Sequence, residues 1–110
     1  MVNGMKLMYE EKEIELKQCK SFYSRLLGFM FKKNINSSLL FDKCNSIHTF
    51  FMKENIDIIF LDKSGQIIDI KENIKPYKII TSKKNTYSIL ELPNNLGKHF
   101  KINETLDLFN

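Results

Sequence analysis

The sequence predicts an α+β fold, mainly β: a small antiparallel or mixed sheet, curled toward a barrel-like body, with one or two short helices. Three observations predict it. Short runs of β-branched and aromatic residues follow one another directly through the middle of the chain, where a parallel βαβ fold would place helices between them. The polar segment Asp62-Lys63-Ser64-Gly65 separates two such runs, the mark of a hairpin. Helical spacing occurs only before these runs and after them.

The elements follow in order. Residues 12–17 alternate charged and apolar, with Ile14 and Leu16 set against Glu13, Glu15 and Lys17, as in a half-buried, early, edge-like strand. Over residues 20–30 the period lengthens, because Phe22, Leu26 and Phe29, with Tyr23, Leu27 and Met30, recur at three and four residues. That spacing predicts a short helix, with Ser21 placed to cap its start and Gly28 near its end, where a missing Cβ tolerates positive φ. Strands are expected at residues 39–41, 47–52, 56–62 and 66–70, then at 79–80 and 87–92, with 105–109 a candidate for the last. Residues 93–100 suit a short helix with Pro93 in its first turn, where the missing N–H is no loss.

A chain of 110 residues suits one domain, residues 1–110, and 43% hydrophobic with 12% aromatic residues supplies a core without metals or disulfides. Residues 1–10 contain no apolar targeting segment, and no apolar run approaches the ~20 residues of a membrane-spanning helix. The expected compartment is the cytoplasm. Cys19 and Cys44 are isolated and read as two free thiols in a reducing environment. The net charge of +4 comes from 17 basic against 13 acidic residues, and Arg25 is the single arginine. Lys32-Lys33 and Lys83-Lys84 are only pairs and read as solvated loops, so nucleic acid is an unlikely partner on sequence grounds.

Four blocks carry a family resemblance. They are Arg25-Leu26-Leu27-Gly28-Phe29-Met30; Leu39-Leu40-Phe41; Cys44-Asn45-Ser46-Ile47-His48-Thr49-Phe50-Phe51-Met52 followed by Ile56-Asp57-Ile58-Ile59-Phe60-Leu61-Asp62; and Glu72-Asn73-Ile74-Lys75-Pro76-Tyr77 with Ile89-Leu90-Glu91-Leu92-Pro93. Over residues 14–109 the chain resembles the small prokaryotic proteins of the domain of unknown function 192 family, in a branch with a Cys-x-Ser-Ile-His-Thr-Phe-x-Met block. It departs from the pattern at Lys53-Glu54-Asn55, which lacks the proline before the Ile-Asp strand, and at Asn103-Glu104, where the family shows Gly-Asp. Asn tolerates left-handed backbone, so that turn is expected to survive. The family has no established reaction. The resemblance therefore implies a fold and a set of positions and leaves the chemistry open.

Three titratable residues are candidates for chemistry. Asp57 is a carboxylate in an otherwise apolar run, and a buried charge needs a partner. Arg25 offers a planar fork suited to it, so an Arg25–Asp57 structural pair is expected; the alternative is an exposed Asp57 capping a loop amide. Glu91 sits in residues 89–92 in the same way. His48 either satisfies its neighbours in a wall or contacts a ligand, and Cys44, roughly 13 Å away along an extended strand, shares neither a metal nor a nucleophile pair with it.

Phosphate-loop, metal, activated-nucleophile and dinucleotide motifs are all missing, so no metal and no cofactor is expected. The preferred function is a non-catalytic binding or accessory module for a small molecule or protein. Its pocket or surface is framed by the His48 strand and the Arg25 helix, with Arg25, His48, Thr49 and Met52 as binding residues. The first alternative is a compact hydrolase or isomerase using His48 with Asp57 or Glu91. The second is weak nucleic-acid binding through lysines.

Overall fold

The computed structural model describes residues 5–20, 28–44 and 46–106. Among these residues eight strands run in the order β1 Lys6–Tyr9, β2 Lys12–Gln18, β3 Ser37–Asp42, β4 Ser46–His48, β5 Ile56–Leu61, β6 Ile67–Ile74, β7 Ile79–Thr81 and β8 Ser88–Pro93, followed by a 3-10 turn at Gly97–His99. Six of them form one sheet in the order β1-β2-β3-β8-β5-β6, while β4 and β7 form a separate two-stranded sheet. Strands β2 and β3 are parallel and the other pairs antiparallel, so the main sheet is mixed. It is also open, with β1 and β6 at its edges, and does not close into a barrel.

Central strands β5 and β8 are buried on both faces, which is why they read as apolar runs rather than alternations. One face carries Leu16, Leu40, Ile59, Leu61, Leu90 and Leu92 and packs against Ile67, Phe100 and Leu106. The other carries Leu39, Phe41, Ile56, Ile58, Phe60 and Ile89 and packs against Cys19, Phe29, Ile47 and Met52.

The hairpin joining β5 to β6 forms as its turn chemistry requires. Asp62 Oδ1 accepts the Ser64 amide at 2.9 Å, the Ser64 hydroxyl at 2.7 Å and the Gln66 amide at 3.0 Å. The Ser64 hydroxyl and then the Gln66 amide hold the Asp62 carboxyl below its ordinary range. Gly65 has a φ of 89°, and a Cβ there would stand 2.8 Å from the carbonyl oxygen of Leu106. Only glycine fits.

Several expected elements differ. The strand at residues 12–17 is not an edge, because β1 pairs with it through a two-residue loop at Glu10 and Glu11, with φ of 46° and 64°. Such loops normally announce themselves with Asn or Gly, and here two glutamates occupy them. The strand expected through residue 52 ends at His48, and Thr49 to Met52 turn back instead. Most of the helix expected at residues 20–30 lies outside the described residues; Gly28 has a φ of 45°, and residues 28–31 form a turn. The helix expected at residues 93–100 reduces to the 3-10 turn, since Pro93 completes β8 opposite Ile56. Thr105 forms a single bridge with Gln66 rather than opening a strand, and residues 107–110 lie outside the described ones. Asn103 adopts a φ of 78°, as its left-handed tolerance allows. Neither Cys19 nor Cys44 is in a disulfide.

Candidate functional site: an exposed aromatic cluster

Three loops meet beside β4. Thr49, fully buried just after β4, ties the second loop to the third: its amide donates to the Lys78 carbonyl at 2.8 Å and its carbonyl accepts the Tyr77 amide at 3.0 Å. Its hydroxyl accepts the Lys78 amide at 2.8 Å and donates to the Lys75 carbonyl at 2.8 Å. The first loop joins through the Phe31 amide, which donates to the Phe51 carbonyl at 2.9 Å. Glu54 reinforces that join by accepting the amides of Asn34 and Ile35 at 2.7 and 3.2 Å.

These ties bring aromatic rings together at the surface. Phe31 stacks on Phe51 with centroids 5.6 Å apart, and Phe51 meets Tyr77 edge-on at 6.0 Å. Phe50 lies 6.4 Å from Tyr77 and stacks on His48 at 5.3 Å. Burial does not explain the cluster, because Phe31 is 60% exposed, Phe51 49%, Tyr77 64% and the neighbouring Ile79 66%. Phe31, Phe51 and Tyr77 also share a left-handed backbone, with φ of 63°, 61° and 64°. Bulky residues rarely adopt that region, at ~1–2 kcal/mol each, and such strain gathers at binding sites.

The sequence-predicted residues separate. His48 is half-buried, its Nδ1 accepting the Phe50 amide at 3.1 Å. The adjacent Ile47 enters the core, so strand alternation turns His48 toward the aromatic cluster instead. Thr49 and Met52 are both buried. Arg25 lies outside the described residues.

Asp57 is fully buried, yet both its oxygens are occupied: Oδ1 accepts the Asn73 amide at 2.8 Å and Oδ2 the Gly97 amide at 2.7 Å. A register shift in the β5–β6 pairing opposite Asp57, with Asn73 at a φ of 59°, releases the Asn73 amide from the ladder.

Glu91 is buried on the other face of the sheet, since its neighbours Leu90 and Leu92 pack on the Asp57 side. Its Oε1 has no hydrogen-bond partner among the described residues and lies 3.6 Å from where a Gly28 Cβ would stand. Burial pushes the Glu91 carboxyl up to about 8, so it holds its proton at neutral pH. Asp57 and Glu91 are thus separated by the sheet, and no hydrogen bond among the described residues joins either to His48. An open groove of about 470 Å³, lined by Asp62 to Ser64 and Asn85 to Tyr87, lies at the hairpin turn on different segments from the cluster.

The rings escaped the sequence reading for definite reasons. Phe50 and Phe51 at that density read as core, and Phe31 and Tyr77 were given no role. The available signal was that Phe31 and Tyr77 each sit beside lysines, although Phe100, buried beside Lys101, shows that this alone does not mark an exposed ring.

Fold and surface together define a class: a mainly β domain on an open mixed sheet that displays rings from three joined loops. The chain belongs to the domain of unknown function 192 family, described as an uncharacterized ACR, whose pattern matches residues 5–107. It is 37% identical over 107 residues to a UPF0127 protein of Pyrococcus horikoshii, covering 92% of this chain and 90% of that one. A UPF0127 protein of Thermococcus kodakarensis is 35% identical over 96 residues, 82% of this chain, and the match spans only 60% of that longer protein. Among solved structures, a protein of unknown function from Novosphingobium aromaticivorans superposes with a TM-score of 0.80 at 14% identity, covering 96% of this chain and 84% of its own. At that identity the likeness shows the fold alone. No helix among the described residues is long and apolar enough to cross a membrane.

Proposed function

We propose that this chain is a non-catalytic binding or accessory module whose recognition surface is the aromatic cluster beside His48. One observation carries the reading: three well-exposed aromatic residues, on three loops, are each held in left-handed backbone with their rings touching. Neither burial nor local propensity rewards that arrangement, whereas a bound partner covering the rings would. His48 belongs to the surface through its stack on Phe50, and Thr49 supports it from beneath. Arg25, three residues before Gly28 in the sequence, is a further proposed contributor. The enzyme alternative, His48 with Asp57 or Glu91, draws no support from an arrangement in which no hydrogen bond among the described residues joins either carboxylate to His48. A single domain in the cytoplasm is the setting we propose, in keeping with two unbridged cysteines.

Amide chemical-shift mapping with benzoate, indole and a nucleoside monophosphate as probes tests the surface. Shifts concentrated at Phe31, Phe51, Tyr77 and Ile79 are expected. Shifts concentrated at the groove between Asp62 and Tyr87, or none with any probe at millimolar concentration, would overturn it.

A further inference from the structure

Resting on the reading of the aromatic cluster as a binding surface, we infer that its occupant is a single-stranded nucleic acid, with bases on the rings and phosphates on the surrounding lysines. Each loop that supplies a ring also supplies exposed lysines. Phe31 is followed by Lys32 and Lys33, and Phe51 by the buried Met52 and exposed Lys53. Tyr77 stands between Lys75 and Lys78, both exposed. None of these five lysines forms an ion pair among the described residues, whereas Lys6, Lys17 and Lys83 each do. Residues 28–35, 49–55 and 75–79 contain one acidic residue, Glu54, and its carboxylate is occupied by the amides of Asn34 and Ile35. The surface therefore combines exposed aromatic rings with a net positive charge.

That combination selects among polyanions. A single strand offers flat bases and regularly spaced phosphates together, and stacking on aromatic rings with lysines along the backbone is how such strands are held. In a duplex the base faces are stacked on one another and out of reach. An acidic peptide would answer the lysines and leave the exposed rings and their strained backbone without a reason. Phe31 and Tyr77, at the two ends of the Phe31–Phe51–Tyr77 contact, are the most exposed rings of the set. Lysine ammonium groups contact phosphate as point charges and do not read base edges in a fork, so the binding should be tolerant of sequence. Lysine pairs alone argue for solvated loops; the tertiary structure alters that by bringing three separate segments, each with an exposed ring and neighbouring lysines, to one surface.

The test uses the full chain and fluorescence anisotropy with a short labelled oligothymidylate, a duplex of equal length and a labelled polyglutamate peptide. The single strand should bind at low salt, with log affinity falling against log salt at a slope of roughly −2 to −4, as for three to five neutralised phosphates. The duplex and the polyglutamate should each bind about tenfold more weakly. Phe31→Gly and Tyr77→Gly should each weaken the single strand by about tenfold, while thermal midpoints stay level or rise, since glycine accepts the left-handed backbone. A merely structural role for the rings would lower those midpoints and leave affinity alone. No single-strand binding at low salt, equal binding of polyglutamate, or affinity that survives both glycine variants would overturn the inference. Small probes that still map to the cluster while the oligonucleotide fails would sink this occupant and leave the binding-surface reading standing.

Discussion

Asp57 Oδ2 accepts the amide of Gly97 at 2.7 Å across forty residues of sequence, in a site where neither group meets water. Gly97 makes the approach possible, because a Cβ there would stand 3.0 Å from Asp57 Oδ2 and 3.2 Å from Glu72 Cγ. With Asn73 on the other oxygen, this one carboxylate pins the end of β6 and the 3-10 turn to β5.

Asp57→Ala leaves two buried amides without acceptors, each hydrogen bond to a charged group contributing ~1.5–3 kcal/mol. A loss of about 3 kcal/mol or more is expected in urea denaturation. A loss below about 1 kcal/mol would mean that the two amides find other acceptors.

Glu91 couples stability to pH. Its folded value of about 8 lies above the ordinary 4.5, so between those values the folded chain keeps a proton that the unfolded chain has released. The contribution of Glu91 to stability should therefore be fully present below the lower value, fall at roughly 1.4 kcal/mol per pH unit as pH rises toward the upper one, and be gone beyond it. Glu91→Gln should remove that slope. Parallel slopes for the two proteins, measured as unfolding free energy against pH, would contradict the assignment.

At Gly65 both the φ of 89° and the Leu106 oxygen at 2.8 Å exclude a side chain. Gly65→Ala should destabilise by ~1–3 kcal/mol, while Ser64→Ala, which removes only one of the hydrogen bonds to Asp62, should stay within about 1 kcal/mol of the parent.

Thr49 holds the third loop through a hydroxyl that is both donor and acceptor. Thr49→Val keeps the shape and removes both bonds. Faster hydrogen exchange at the Lys78 amide and a loss of ~1–3 kcal/mol are expected; an unchanged exchange rate at that amide would show that the backbone bonds of Thr49 suffice.

How much of this was legible varies with the range of the interaction. The Asp62 to Gly65 hairpin was legible because the turn chemistry is local and its partners lie within four residues. The central strands were legible as apolar runs, although their order in the sheet was not. Strand β1 was hidden by a Glu-Glu turn that only the completed pairing makes tolerable. Asp57 and Glu91 were both recognisable as carboxylates in apolar strands and were indistinguishable there. Their fates differ because a one-residue offset across paired β5 and β8 sends one to each face: Asp57 lies opposite Leu92, and Glu91 opposite Ile58.

By itself the sequence determined that the chain is mainly β, that it carries the blocks of its family, and that its cysteines, lone arginine and buried-run carboxylates stand where they do. These follow from spacing and residue chemistry over a few positions. The tertiary structure alone decided that the sheet stays open, that the two carboxylates never meet, and that Phe31, Phe51 and Tyr77 come together facing water. Those outcomes depend on hydrogen bonds between loops some twenty to thirty residues apart, such as Phe31 to Phe51 and Thr49 to Lys78, and on which face each strand turns inward. No local pattern encodes either.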